Sequence, residues 1–132
     1  MANVLIVDDD YCIRTLYQFL FMGAEHTPQV AMDGEEALRK LETFIPDFML
    51  IDISMPGMDG VEFIKQLHRL AISRPELSRI PFIVLTGENF TKMKEHHAIV
   101  GNLDYKAFLP KMTQQAQVLS LSEKILTEYG KM

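Results

Sequence analysis

Residues Met49–Gly60 read MLIDISMPGMDG: an apolar run, a single acid, and then a loop rich in proline and glycine. A continuous apolar run of this length predicts a strand that is buried on both faces of a parallel sheet. Asp52 would then lie where the strand ends, at the carboxyl edge of the sheet. Ligands bind at this edge in open α/β folds. The stretch therefore predicts both an α/β fold and a functional acid at Asp52.

A second apolar run, Val4–Val7, also ends in acids, namely Asp8, Asp9 and Asp10. If the two strands are neighbours, three or four carboxylates meet at one point. Carboxylates this close cannot all be ionised unless a cation compensates their charge. A site made only of oxygen ligands suits Mg²⁺. The sequence therefore predicts a magnesium site, and we interpret Asp10 as the N-cap of the following helix rather than as a ligand.

Strand-length apolar runs alternate with segments of helical periodicity along the whole chain. The predicted strands are Val4–Val7, Thr27–Ala31, Phe48–Asp52, Phe82–Thr86 and Ala107–Leu109. A helix follows each strand, and the fourth of these helices is predicted at Thr91–Val100. This alternation predicts an α/β fold with a five-stranded parallel sheet, doubly wound as (βα)5 and covered by helices on both faces. We treat residues 1–132 as one domain.

Capping residues indicate where the helices begin. The predicted N-caps are Asp10, Asp33, Asp59 and Thr113. Asp33 and Asp59 are each followed three residues later by a glutamate, which is typical of a capping box. Asp59 is therefore interpreted as a cap and not as part of a second acidic site.

The chain has 132 residues, a formal net charge of −5 and one cysteine. A chain of this length can bury a core without disulfides, and a single cysteine cannot form an internal one. We therefore expect a reducing, cytoplasmic location. The acidic balance disfavours nucleic acid as a direct partner. No signal segment or membrane span is expected, and we expect no effector domain after the last helix.

Cysteine and histidine have no predicted role. Cys12 is interpreted as a small packed residue of the first helix. The four histidines lack the spacing of a metal site, and we expect them at the surface or its boundary: His26, His68, His96 and His97.

Four features follow predicted strands at their carboxyl ends: the pair Asp8-Asp9, then Asp52, Thr86 and Lys111. These are the parts that phosphoryl transfer needs. A metal and a lysine neutralise the phosphoryl oxygens, a hydroxyl donates a hydrogen bond, and an aspartate can accept the group.

In this arrangement the chain resembles the receiver domain of response regulators, the phospho-accepting module of two-component signalling. The motifs that carry the resemblance are VLIVDDD at 4–10, IDISMPGMDG at 51–60, FIVLTG at 82–87 and AFLPK at 107–111. Each motif alone is weak, but all four in order form a specific signal. The resemblance covers essentially the whole chain and implies the flavodoxin-like strand order 2-1-3-4-5.

The resemblance implies roles for individual residues. Asp52 matches the phosphoacceptor, which receives its phosphoryl group from a sensor histidine kinase or a histidine phosphotransfer protein. Asp9 matches the direct ligand of Mg²⁺ and Asp8 the second acid of the metal site. Asp52 and the backbone carbonyl of Ser54 complete the predicted ligands.

Three further residues match the switching parts of the family. Thr86 corresponds to the switch hydroxyl, Lys111 to the lysine that pairs with the phosphoryl group, and Phe108 to the rotating aromatic. Phosphorylation would change the affinity of the surface formed by the fourth helix, the fifth strand and the fifth helix for a downstream protein. Such a protein is a signalling switch that catalyses its own aspartyl phosphorylation and dephosphorylation, not an enzyme with a separate substrate.

One departure from the family concerns the residue after the lysine. The family has a proline there, preceded by a cis peptide, whereas Met112 follows Lys111 in this chain. A cis bond before a residue other than proline costs about 3 kcal/mol. A competing register aligns Pro110 with the family proline and puts Leu109 at the lysine position. We prefer Lys111, because the run FLPK is common in the family.

Two alternative functions remain open at this point. One is a phosphatase or phosphotransferase of the haloacid-dehalogenase type, which needs the Asp-x-Asp spacing that Asp8 and Asp10 have, but also a cap domain that does not fit in 132 residues. The other is a degenerate receiver that binds proteins without being phosphorylated.

Overall fold

The computed structural model of the chain describes residues 1–52, 60–86 and 103–132, without the side chains of Val61, Thr86, Tyr105 and Phe108. The predicted helix at Thr91–Val100 and the predicted cap Asp59 lie outside these described residues. Within them, the helices are too short or too polar to cross a membrane.

Strands and helices alternate along the chain. The strands are β1 (Asn3–Val7), β2 (Thr27–Ala31), β3 (Phe48–Asp52), β4 (Phe82–Thr86) and β5 (Tyr105–Pro110). The helices are α1 (Tyr11–Gly23), α2 (Gly34–Leu41), α3 (Gly60–Ser73), a short 3-10 helix (Pro75–Arg79) and a C-terminal helix (Gln115–Glu128). The predicted bounds of β2, β3 and β4 agree with those of the structure.

All five strands are parallel and lie in the order β2-β1-β3-β4-β5. This confirms the predicted α/β fold and strand order. The register aligns the strand ends, since Val7 of β1 lies opposite both Ala31 of β2 and Ile51 of β3. Asp8 after β1, Asp52 at the end of β3 and Lys111 after β5 therefore lie at one edge of the sheet.

The two faces of the sheet form two separate parts of the core, because successive side chains of a strand point to opposite faces. One face packs against α2 and α3 and includes Leu5, Val7, Met49, Ile51, Phe82 and Val84. The other face packs against α1 and the C-terminal helix and includes Val4, Ile6, Phe48, Leu50, Ile83 and Leu85. A strand buried on both faces needs an unbroken apolar run, as seen in β1, β3 and β4.

Two of the predicted N-caps are confirmed. Asp10 caps α1, because its Oδ1 accepts hydrogen bonds from the backbone N–H groups of Cys12 at 2.9 Å and Ile13 at 3.2 Å. Asp33 caps α2 in the same way, accepting from the N–H of Glu36 at 2.8 Å. A side-chain oxygen at this position satisfies donors that the first turn of a helix leaves without partners.

Some element bounds differ from the prediction, and one element was not predicted. Thr113 is not the cap of the C-terminal helix; Gln114 is, and it makes no side-chain capping bond. Strand β5 begins before Ala107, at Tyr105, because Tyr105 pairs with Phe82 of β4, and the exposed Lys106 is the extra residue of an irregularity in the register between Phe82 and Ile83. The 3-10 helix was not predicted, although proline is favoured in the first turn of a helix.

The burial of two residues, His26 and Cys12, differs from the prediction. His26 is buried at 5 % exposure rather than at the surface. Its Nδ1 accepts the backbone N–H of Ala2 at 3.2 Å, so Nε2 carries the proton and donates to Glu123 at 2.9 Å. Cys12 is exposed rather than packed, because the face of α1 that carries Tyr17 and Phe21 points into the core and position 12 lies away from it.

Candidate functional site

The carboxyl edge of the sheet brings together acids from two neighbouring strands. Asp8 directly follows β1, and Asp52 is the last residue of β3. Both are buried, at 3 % and 1 % exposure. Asp9 follows Asp8 in the loop to α1 and is exposed. The strand order therefore produces the juxtaposition of acids that the sequence predicts.

The three acids can hold one cation. Oxygens of the carboxylates of Asp8, Asp9 and Asp52 lie within 4.8 Å of one another. A donor set made only of oxygen fits a hard divalent cation such as Mg²⁺. Ser54, whose backbone carbonyl is the remaining predicted ligand, lies outside the described residues.

Within the cluster, the pKa of Asp8 is raised. Burial raises the pKa of its carboxyl to about 7, and the neighbouring charge of Asp52 acts in the same direction. The N–H of Asp10 opposes this effect by donating to Oδ1 of Asp8 at 2.9 Å, and the charge of Lys111 opposes it as well. Burial and a neighbouring negative charge both raise the pKa of a carboxyl. A cation bound beside it lowers that pKa again, because it stabilises the ionised form. The donor set therefore fits a metal both in chemistry and in charge.

Lys111 reaches this cluster from the end of β5. Its Nζ lies 2.6 Å from Oδ2 of Asp52. Burial of the ammonium lowers its pKa, but the hydrogen bond and charge of Asp52, joined by the charges of Asp8 and Asp9, more than offset this and raise the pKa overall. Lys111 is therefore a firmly charged partner of the buried aspartate.

The contact favours Lys111 over Leu109 as the residue at the lysine position that the resemblance implies. Lys111 contacts Asp52, whereas Leu109 is half-buried against the apolar core. No peptide bond among residues 1–52, 60–86 and 103–132 is cis, so the bond between Lys111 and Met112 is trans. Lys111 reaches the aspartate without the cis peptide that the family proline provides.

A residue that was not predicted as part of the site holds the loop that carries the acids. Nη1 of Arg14 donates to the backbone carbonyl of Asp8 at 2.9 Å. The N–H of Asp8 in turn donates to the carbonyl of Ala31 at 3.0 Å. The signal available in the sequence is the position of Arg14, one helical turn beyond the cap Asp10.

Other predicted residues are placed only by their backbone. Thr86 ends β4 opposite Pro110, and Phe108 lies in β5 opposite Val84. The side chains of Thr86 and Phe108 lie outside the described part of the chain, so their switching roles stay predictions.

The fold and the site define a class of protein: a doubly wound α/β domain in which a buried aspartate, Asp52, belongs to an acidic cation site and also contacts a lysine. Residues 4–122 match the family model described as the response regulator receiver domain. The chain belongs to this family, which confirms the resemblance. Since Asp10 is engaged as a helix cap, the Asp-x-Asp pair of the phosphatase hypothesis also lacks a free second acid.

Curated relatives agree with this assignment. The chain is 36% identical over 111 residues to the alkaline phosphatase synthesis transcriptional regulatory protein PhoP of Bacillus subtilis, covering 83% of this chain and 44% of that protein. It is 32% identical over 126 residues to the DNA-binding transcriptional regulator NtrC of Escherichia coli K12, covering 96% of this chain and 25% of that protein. The chain thus spans less than half the length of these relatives.

Solved structures share the fold over nearly the whole chain. The chemotaxis protein CheY4 of Vibrio cholerae is 29% identical with a TM-score of 0.81, over 96% of this chain and 99% of that one. The signal receiver domain of a signal transduction histidine kinase from Syntrophus aciditrophicus has a TM-score of 0.84 at 23% identity, over 100% of this chain and 95% of that one. The second likeness concerns the fold alone.

We predict that Mg²⁺ stabilises the fold through Asp9. At ten times its dissociation constant, a cation that binds only the folded state adds about 1.4 kcal/mol to the free energy of unfolding. Asp9→Ala should lose most of this gain, whereas Glu35→Ala, which removes an exposed acid of α2, should keep it. Urea denaturation with Mg²⁺ and with EDTA measures both. An equal gain in Asp9→Ala and wild type would mean that the metal site is misassigned.

We also predict a pH dependence of stability that originates in Asp8. The pKa of this carboxyl is 3.8 in its ordinary state and about 7 in the fold, so the native protein holds a proton that the unfolded chain releases. In metal-free buffer the free energy of unfolding should therefore decrease as the pH rises from about 4 to about 7. Asp8→Asn should flatten this decrease. Urea denaturation of wild type and Asp8→Asn across that pH range measures this. The same dependence of the free energy of unfolding on pH in both proteins would contradict the prediction.

Proposed function

We propose that Asp52 accepts a phosphoryl group from the phosphohistidine of a sensor histidine kinase or a histidine phosphotransfer protein. The observation that carries this proposal is the convergence on Asp52 of one lysine and two acids. Nζ of Lys111 lies 2.6 Å from Oδ2 of Asp52, and one carboxylate oxygen from each of Asp8, Asp9 and Asp52 lies within 4.8 Å of the other two. Membership of the receiver family supports this role for Asp52.

The transfer follows from the charge of the groups around Asp52. A carboxylate oxygen attacks the phosphorus in line, an oxygen–phosphorus bond forms, and the phosphorus–nitrogen bond breaks. The electron pair of that bond stays on the imidazole nitrogen of the donor, which takes up a proton from water. A carboxylate nucleophile has no proton to lose when it attacks, so the step needs no general base. The surroundings of the acid therefore have only to orient the donor and to balance charge.

Two cations share this task in the proposal. When it is bound, Mg²⁺ supplies charge neutralisation at the phosphoryl oxygens, held by Asp8, Asp9 and Asp52, with the backbone carbonyl of Ser54 as the remaining predicted ligand. Lys111 supplies the second positive charge. Its ammonium forms an ion pair with Asp52 before transfer. After transfer it can pair with a phosphoryl oxygen on the same residue, so it keeps an anionic partner throughout.

The switch follows from the position of Lys111. This residue lies between β5 and the C-terminal helix, which begins at Gln115. A change of partner at its ammonium is therefore transmitted to the loop that joins the two elements. Together with the predicted movements of Thr86 and Phe108, this shifts the population between two states of the surface formed by the predicted fourth helix, β5 and the C-terminal helix. A downstream protein that prefers one state reads the signal.

In this proposal residues 1–132 act as one receiver domain. The chain catalyses its own phosphorylation, and water removes the group again. A small phosphodonor should therefore suffice in place of the kinase, because the catalytic groups belong to the acceptor.

We predict that wild type gains one phosphoryl group from acetyl phosphate with Mg²⁺, and that Asp52→Asn gains none. Asp47→Asn is the matched control, because Asp47 lies just before the opposite end of the same strand and should leave the gain intact. Intact-protein mass spectrometry measures all three proteins.

Equal gains in wild type and Asp52→Asn would overturn the assignment of the acceptor. No gain in wild type, together with no rise in melting temperature with beryllofluoride and Mg²⁺, would instead indicate a receiver that binds its partners without phosphorylation.

A further inference from the structure

Arg14 makes two contacts beside the acid cluster, and neither has a part in the proposed transfer. Its Nη1 donates to the backbone carbonyl of Asp8 at 2.9 Å. The centre of its guanidinium lies 5.6 Å from the centroid of the ring of Tyr11. The residue is half-buried, on the first turns of α1. Its charged group is thus directed at the main chain of the loop and not at a carboxylate.

The backbone carbonyl of Asp8 lies one residue past the paired part of β1. The pairing of β1 with β2 and β3 ends at Val7. The N–H of Asp8 still donates to the carbonyl of Ala31, whereas the carbonyl of Asp8 accepts from Arg14. Polar groups of the backbone that leave a sheet at a buried position need another partner. The guanidinium provides that partner.

This contact determines the orientation of the peptide that joins the two acids. The carbonyl held by Arg14 belongs to the peptide unit between Asp8 and Asp9. On the other side of Asp9, the N–H of Asp10 is held by Oδ1 of Asp8 at 2.9 Å. Both peptide planes that flank Asp9 are therefore fixed by hydrogen bonds.

Asp9 depends on this fixation more than its neighbours do. Asp8 and Asp52 are buried, at 3 % and 1 % exposure, and packing restricts them. Asp9 is exposed, so packing does not restrict its carboxylate, and the orientation of its backbone matters more for directing it toward the other two acids. We propose that Arg14 is a positioning residue for the cation site, which orients the carboxylate of Asp9 by holding the carbonyl of Asp8. The inference rests on the cation site of the proposed function.

The ring of Tyr11 holds the guanidinium in this orientation. A planar guanidinium can stack on an aromatic ring and donate in its own plane at the same time, which an ammonium cannot do. Lysine at position 14 would keep the charge but lose the planar geometry.

The direction in which the affinity for Mg²⁺ changes when Arg14 is replaced distinguishes a positioning role from a purely electrostatic one. Removing a positive charge near an acidic site should strengthen the binding of Mg²⁺, because less repulsion acts on the cation. Removing a positioning residue should weaken it, because Asp9 is then less well oriented. Loss of an outer-shell partner of a metal ligand typically lowers the affinity for the metal about 10-fold to 100-fold. The two explanations thus predict opposite changes.

The experiment is calorimetric titration of the whole chain with Mg²⁺ in the absence of a phosphodonor. We expect Arg14→Gln to bind Mg²⁺ about 10-fold more weakly than wild type, and Arg14→Lys to fall between them. Arg69→Gln is the control, because it removes the same charge from an exposed position in the C-terminal half of α3. Wild-type or tighter binding in Arg14→Gln would overturn the inference.

A second variant covers the case in which Arg14→Gln does not fold. Tyr11→Ala leaves the guanidinium in place but removes its support, and the exposed ring contributes little to the core. We expect Tyr11→Ala to lose less affinity for Mg²⁺ than Arg14→Gln does. The backbone amide resonances of Asp9 and Asp10 should also shift less on titration with Mg²⁺ in Tyr11→Ala than in wild type. Unchanged affinity and unchanged shifts would overturn the inference.

The outcome is independent of the test of the proposed function. If wild type is phosphorylated on Asp52 while Arg14→Gln binds Mg²⁺ as wild type does, only the role of Arg14 fails. If wild type binds Mg²⁺ without gaining a phosphoryl group and Arg14→Gln binds it more weakly, only the proposed function fails.

Discussion

The free-energy cost of burying two neighbouring carboxylates determines which other charges the carboxyl edge of this sheet must hold. Asp8 and Asp52 are almost fully buried, and their charges repel. Buried charges are tolerated when they are paired, and removing one member of such a pair is far more costly than its net contribution suggests. Lys111 supplies one compensating charge at 2.6 Å from Asp52. The second is left to a cation, so the site is ready to bind one and to respond when the charge on Asp52 changes.

Most of the fold could be predicted from the sequence because one physical rule governs it. A parallel sheet covered on both faces requires unbroken apolar strands, and β3 and β4 consist of little else. The same rule places Asp8 and Asp52 at one edge once their strands are neighbours. The position of Lys111 after the fifth predicted strand placed it at the same edge, but its contact with Asp52 depends on how the end of β5 lies against β4, which the sequence does not show.

Features that depend on distant partners were not predicted. His26 is buried because Glu123 and the chain start provide partners for its ring, and no local pattern in the sequence indicates such a pairing. Arg14 has the spacing of an ordinary helix residue, and only the geometry of the loop shows that it holds the carbonyl of Asp8. Thr113 has the usual chemistry of a cap, but the helix begins one residue later than a threonine cap would require.

The central claim is that Lys111 and Asp52 form a coupled charge pair, and a double-mutant cycle tests it most directly. The free energy of unfolding of wild type, Asp52→Asn, Lys111→Met and the double variant would be measured in metal-free buffer. Because Lys111→Met removes the positive charge that faces the buried carboxylate of Asp52, it should cost about 1–3 kcal/mol more in wild type than in the Asp52→Asn background. An equal cost of Lys111→Met in both backgrounds would contradict the account.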